Sequence, residues 1–269
     1  MNKWEKYLAV FRISLEQEFV YRVNFIMWRF RNVIQFFLIF FLWDTVFSDP
    51  GREFFGYNRA RILTYVFGIL VIKALVYSSR SIDVSGDIAR GSLSNYLLKP
   101  VSYFKYWFVR DASSKALNLI FAFFEFIILF IILRPPLYLQ TDPLLILLFV
   151  CSIIVAVFLY FFLIFLFSLI PFWQPEQSWA SMFLFMIFSD FLGGGLFPID
   201  IMPSTLQGFV YLTPFPYLIF TPLQIYIGKF SAVRSLGAIG VGLIWVFLLA
   251  FVVKNTWRLG LRSYRSEGR

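Results

Sequence analysis

The chain has 269 residues, of which 60% are hydrophobic and 14% charged, with a net charge of +9 and a mean hydropathy of +0.77. Soluble domains average roughly 45–50% apolar and about 25% charged residues, so composition excludes a soluble globular protein and points to an integral membrane protein. The sequence contains no His and a single Cys, Cys151. That excludes a His-based acid/base or metal site and an intrachain disulfide. Cys151 lies in an apolar run and reads as a small apolar residue. In a soluble chain the charge would suggest a nucleic-acid partner; in a membrane protein it reports cytoplasmic loops and contact with anionic lipid, with no nucleic acid.

The apolar segments are long and continuous rather than short alternating strips, so helices are predicted and not a barrel. Lys3 to Val23 reads as an interfacial helix and not a signal peptide, because charges run through it. Trp4, Tyr7, Leu8, Phe11, Leu15 and Phe19 form its apolar stripe, away from Lys6, Arg12, Glu16 and Gln17 and interrupted by Glu18 and Arg22. The first span is placed at Asn24 to Phe47, followed by the turn signal Asp49-Pro50-Gly51. The second runs from Ala60 to Tyr77.

A polar stretch from Ser78 to Asp111 follows, the one long hydrophilic segment between spans. Further spans are expected at Ser114 to Leu133, Pro143 to Ile170, Ser178 to Phe197 and Ser231 to Thr256, before a basic tail from Trp257 to Arg269. With six spans both termini share a side. An N-terminus inside puts 17 of the 24 Lys and Arg residues on the cytoplasmic side. The outside then holds Arg52, Arg59, Arg61, Arg134, Lys229 and Arg234, while Lys73 falls within a span. The positive-inside rule thus predicts cytoplasmic termini and a cytoplasmic polar stretch in a protein of the cell (inner) membrane.

Pro198 to Gly228 is apolar yet carries Pro198, Pro203, Pro214, Pro216 and Pro222, too many for a continuous helix. It reads as two short helices dipping into the outer leaflet and returning, since irregular backbone at membrane depth must be covered by protein or line a cavity. An ordinary external loop is the alternative, at the cost of a large exposed apolar area.

These segments together resemble the ABC-2 family, the type-2 permeases of ATP-binding-cassette exporters. Ile82, Ile88, Gly91, Leu93, Leu97, Leu98, Lys99 and Pro100 are similar to its cytoplasmic coupling helix between the second and third spans. Gly193, Gly194, Gly195, Phe197, Pro198, Asp200 and Pro203, then Pro214, Phe215, Tyr217, Pro222 and Gly228, are similar to its re-entrant hairpin before the last span. The loop after the first span is short, unlike members with large extracellular domains. The resemblance implies an all-α integral membrane permease that forms a dimer with an identical or related chain. It further implies a separate ATPase partner, which would bind the ATP and magnesium, with no cofactor on this chain.

The residues agree with that division of labour. Gly86-Asp-Ile-Ala-Arg-Gly91 is followed by Ser92 and not Lys, and no phosphate loop of the Gly-x-x-x-x-Gly-Lys-Ser/Thr type occurs. Ile88, Leu93, Tyr96 and Leu97 are expected as apolar anchors of a docking helix, with Asp83, Asp87 and Arg90 at its rim and Pro100 ending it. A solvated loop is the plainer reading.

Lys73 and Glu125 are ionisable residues inside predicted spans, each costing about 2.5–3.5 kcal/mol if left at the centre. Lys73 lies near enough to the inner end to snorkel. Glu125 calls for a buried polar contact or a cavity, or else is a neutral structural acid; pairing the two would require matching depths. Asp190 and Asp200 flank the Gly run and read first as hydrogen-bonding groups that hold the hairpin, second as substrate contacts. Gly237, Ala238, Gly240 and Gly242 give the last span a small-residue face. The aromatic content, 22% with 37 Phe, suits a hydrophobic or amphipathic cargo moved outward. An ion-coupled transporter or channel is the alternative from another class, and the absence of repeats argues against it.

Overall fold

The computed structural model describes residues 3–20, 22–49, 51 and 53–264. Pro50, Arg52 and the tail beyond Tyr264, and the side chains of Lys3, Phe19, Arg22 and Asn24, lie outside the described residues. The described residues form an all-helical protein with an isolated bridge between Phe54 and Tyr57. Its helices are α1 (Lys3–Val20), α2 (Arg22–Val46), α3 (Arg59–Ile72), α4 (Asp83–Ala89), α5 (Leu93–Leu97) and α6 (Tyr103–Leu133). After these come α7 (Pro143–Phe167), α8 (Ser178–Leu192), α9 (Ser204–Tyr211), α10 (Phe220–Tyr226) and α11 (Ala232–Ser263).

Five apolar helical stretches are long enough to cross a membrane: Phe25–Val46, Arg59–Tyr77, Tyr103–Leu133, Pro143–Phe172 and Ala232–Ser263. The stretch expected as a fifth span of six is α8, which at 15 residues falls short of the roughly 20 a crossing needs. Its helix stops at Leu192 because Gly193–Gly195 turns the chain, with Gly194 at φ +82°. The termini of the other helices follow their signals. Asn58 caps α3 by accepting from the Arg61 N–H at 2.9 Å, and Asp142 caps α7 with Pro143 in its first turn.

Of the five stretches, that of α3 is the most enclosed, burying Ile62, Leu63, Tyr65, Val66, Phe67, Ile69 and Ile72 between α2, α6 and α10. It continues into a single π-helical turn, Lys73–Tyr77, before the polar stretch. Helix α10 presses on it so closely that a Cβ on Gly68 would lie 2.3 Å from Leu223 Cδ2. Helix α11 runs along α7, where a Cβ on Gly242 would come 2.9 Å from Val155. Gly237 and Gly240 face open space, so the small-residue face is divided between packing and exposure.

Two boundaries differ from expectation by whole turns. Helix α6 begins at Tyr103 rather than Ser114, and α11 continues to Ser263 rather than Thr256. At 1.5 Å per residue each is about 47 Å long, well beyond a hydrocarbon layer of about 30 Å. Their overhanging ends pack together, Tyr103 stacking on Trp257 at 4.9 Å, in an aromatic cluster with Trp107, Phe165 and Phe172. Helix α1 lies against α6, and its apolar stripe is divided: Tyr7, Phe11 and Leu15 are half-buried, whereas Trp4 is 82% exposed and Leu8 54%. The inward face carries Ser14 and Glu18. An apolar side chain is as well satisfied by lipid as by protein, whereas a buried carboxylate requires a partner.

Candidate functional site

The polar stretch is held from five directions. Asp111, buried on α6, accepts from the Ser79 hydroxyl at 2.6 Å, the Arg80 N–H at 2.7 Å and the Ser81 N–H at 2.9 Å, fixing the loop that follows the π turn. Lys115, one turn along α6, donates to the carbonyls of Val76 at 3.1 Å and Ser78 at 2.6 Å. Arg80 forms a two-pronged ion pair with Glu18 of α1. From α7, Ser168 donates to the Ser81 carbonyl at 2.9 Å, and Ser85 donates to the Ser178 carbonyl at the start of α8 at 3.2 Å. Tyr264, just past α11, donates to the Gly91 carbonyl at 2.6 Å and accepts from the Ser94 N–H at 3.2 Å.

Within this frame the expected single helix is two, because Gly91 adopts φ +74°, a conformation that suits glycine, and breaks α4 from α5. Ile88 is 4% exposed and Leu93 fully buried; both point into the aromatic cluster, so they anchor the segment to its own helices and present nothing outward. Ile82 is half-buried. Asp87 is buried with the Ser92 hydroxyl 3.0 Å away, and burial raises its carboxyl above the usual range. Asp83 is raised for the same reason. The outward surface is instead Arg90, Leu97, Leu98, Lys99 and Pro100. Leu97 is 47% and Leu98 86% exposed, and the Lys99 ammonium sits 4.7 Å over the Tyr96 ring.

Both α3 and its π turn reach the region of the Gly turn after α8. Tyr77 donates to the Ser189 carbonyl at 2.6 Å and Tyr65 to the Gly194 carbonyl at 2.7 Å; the Phe220 N–H donates to the Gly193 carbonyl at 2.9 Å. The contacts leave no room for side chains: a Cβ on Gly193 would lie 2.7 Å from the Tyr77 hydroxyl, and one on Gly194 2.6 Å from that of Tyr65. The Gly195 N–H turns back to the Asp190 carbonyl at 2.8 Å.

Beyond the turn, Pro198 leads into one 3₁₀ turn and Pro203 into α9. Pro214 precedes the 3₁₀ turn Phe215–Tyr217, and Pro222 sits buried in the first turn of α10, where its missing N–H costs nothing. Phe197 packs edge-on to Phe191 at 5.6 Å. Asp200 accepts from the Tyr57 hydroxyl at 2.8 Å and pairs with Lys229 at 2.6 Å. It thereby joins the two ends of the Pro-rich region to the loop after α2, and buried Gln224 donates to the same tyrosine hydroxyl.

The family described as ABC-2 family transporter protein matches residues 33–268. The chain belongs to the ABC-2 transporter family. No curated protein sequence matches it. Permeases of this family lack ATPase domains, in keeping with the missing phosphate loop.

Two partly buried ion pairs link helical elements of this ABC-2 chain. Glu125 of α6 takes a two-pronged bond from Arg29 of α2, and Arg29 also donates to Asn118 at 3.2 Å. Lys73 pairs not with Glu125 but with Asp190 at 2.8 Å, beside Gln35, whose amide is 3.5 Å from the same carboxylate. Sequence reading missed Glu18, Asp111 and Tyr264 as holders of the coupling segment. Glu18 carried a usable signal, an acid interrupting an apolar stripe; Asp111, between Arg110 and a run of small, mostly polar residues, carried none. Tyr264, in a polar tail, carried none.

Proposed function

We propose that this chain is the permease subunit of an ATP-driven exporter, one half of a transmembrane dimer above two separate ATPase subunits. The observation that carries the reading is the division of the Ser78–Asp111 segment into inward anchors, Ile88 and Leu93, and an outward tip, Leu97-Leu98-Lys99-Pro100 with Arg90. Exposed leucines ringed by cations on an otherwise fixed segment form a surface suited to a groove in a cytoplasmic partner. The tip is rigidly joined to α3 and α6, so a push on it would move both.

In this reading α8 and the Gly193–Gly228 region together complete the sixth crossing, with α9 and α10 re-entering from the outer side as a gate. The termini are cytoplasmic, as the charge distribution supports. A hydrophobic or amphipathic compound enters from the cytoplasm or inner leaflet and leaves past the gate. The hydrogen bonds of Tyr65 and Tyr77 to the Gly turn supply a short mechanical route from the segment to that gate.

The experiment is to purify the tagged chain from its native membrane and identify what remains bound. An ATPase with a phosphate loop, recovered with nucleotide-dependent yield, supports the reading. Recovery of this chain alone, indifferent to nucleotide, would instead favour an ion-coupled transporter.

A further inference from the structure

Helices α2, α3 and α8 bring a second set of polar side chains together that the coupling reading does not use. Arg31 and Gln35 stand one turn apart on α2 and therefore on one face. Gln35 reaches Asp190 of α8 at 3.5 Å, and Asp190 pairs with Lys73 at 2.8 Å. The Arg31 guanidinium lies 4.1 Å over the Trp28 ring and meets the Asn32 side chain at 3.3 Å, and it makes no ion pair among the described residues. The group thus holds two cations against one carboxylate, and Lys73 and Asp190 remain 19% and 27% exposed.

Depth and surroundings restrict what could supply the missing negative charge. Arg31 is six residues into the first apolar stretch, which begins at Phe25, and Lys73 four residues from the end of the second at Tyr77. At 1.5 Å per residue both lie about 6–9 Å from the same side, where a headgroup can reach them. From Arg31 and Gln35 the same α2 face continues through Leu38 and Leu42, 68% and 56% exposed. On α8, Ile187 and Phe183 lie one and two turns from Asp190 and are likewise exposed. A small hydrated anion would gain nothing from this surface, whereas an acyl chain would.

We infer that Arg31, Gln35, Lys73 and Asp190 form a receiving site for the anionic headgroup of an amphipathic cargo, with its tail along α2 and α8. The assignment rests on the permease reading and deepens it by naming the charge of the cargo. Cargo is favoured over a resident lipid because Lys73 opens the π turn that leads into the coupling segment, and Asp190 adjoins the Gly turn. An anionic headgroup would compete with Asp190 for Lys73, and so bear on the elements that must move.

The test uses the full chain in phosphatidylcholine nanodiscs, with dodecyl phosphate as anionic probe, dodecyltrimethylammonium as cationic probe and dodecyl maltoside as neutral one. Arg31→Gln removes the unpaired cation and leaves the Lys73–Asp190 pair intact, so folding is kept. Dodecyl phosphate should bind the native chain in preference to the other two and about tenfold more weakly to Arg31→Gln, the change expected for one charge-assisted hydrogen bond. Arg31→Lys should recover part of the loss. Equal binding of dodecyl phosphate to native and Arg31→Gln chains would overturn the inference. So would native phosphatidylglycerol that copurifies at this site and resists displacement by dodecyl phosphate, which would make the occupant a resident lipid. Neither result bears on whether an ATPase copurifies, so the permease reading would stand or fall separately.

Discussion

The Tyr77 hydroxyl donates to the Ser189 carbonyl at 2.6 Å, joining the last residue of the π turn before the coupling segment to the last turn of α8 before the Gly run. Ser189 O also accepts from the Gly193 N–H at 3.0 Å, so removing the tyrosine hydroxyl leaves that carbonyl with a partner. Tyr77→Phe should therefore cost only about 1 kcal/mol in stability, a small shift in a thermal melt. Its larger effect should be on coupling, read as export per ATP hydrolysed in the reconstituted transporter. Gly194→Ala, by contrast, combines φ +82° with a Cβ 2.6 Å from the Tyr65 hydroxyl. It should markedly reduce the yield of folded protein on size-exclusion chromatography.

The inward and outward residues of the coupling segment should separate cleanly. Ile88→Glu places a charge in the aromatic cluster and should lower the melting temperature and expose the segment to protease. Leu98→Glu, at a position 86% exposed, should leave the melt within about 0.5 kcal/mol of native. Limited proteolysis and melting on the same samples check both.

Arg29 and Glu125 are 12% and 18% exposed, and losing one partner strands the other among apolar helices. Glu125→Gln should destabilise the protein by about 3 kcal/mol. The double variant Arg29→Met with Glu125→Leu should recover most of that loss, since a volume-matched apolar pair incurs no desolvation. Unfolding in detergent of the three proteins side by side checks both the loss and the recovery.

Asp87 gives a pH prediction. Burial raises its carboxyl, so the folded chain binds this proton more tightly than the unfolded one. Its unfavourable contribution is absent below the unfolded value of about 3.9, grows as pH rises towards the raised folded value, and is complete above it. Asp87→Asn should therefore be more protected than native in α4 by hydrogen exchange at pH 7. The difference should shrink as pH falls towards 4.

Much of the architecture was legible in the sequence, because apolar runs of spanning length leave few alternatives. Arg59–Tyr77 and the start of α7 at Pro143 fall within a residue of expectation. The Gly run could be read because only glycine tolerates its close approaches. What was hidden depended on pairing. The polar stretch read as far as Asp111 suggested that α6 begins later than it does, since nothing in the sequence shows that Asp111 collects the Ser79–Ser81 loop. The partners of Lys73 and Glu125 were hidden for the same reason: depth alone did not reveal that Arg29 and Asp190 stand opposite them. Likewise, the pattern Ile88, Leu93, Leu97 identifies apolar positions but cannot say which of them face the chain's own core.

The central claim, that the outward tip of the coupling segment receives an ATPase, is tested most directly by reconstituting native and Leu98→Glu chains with the ATPase recovered from the native membrane. The account predicts that the native chain retains the ATPase through purification and alters its hydrolysis rate, while Leu98→Glu, equally folded and inserted, retains little of it and does neither. Full retention and unaltered stimulation by Leu98→Glu would contradict it.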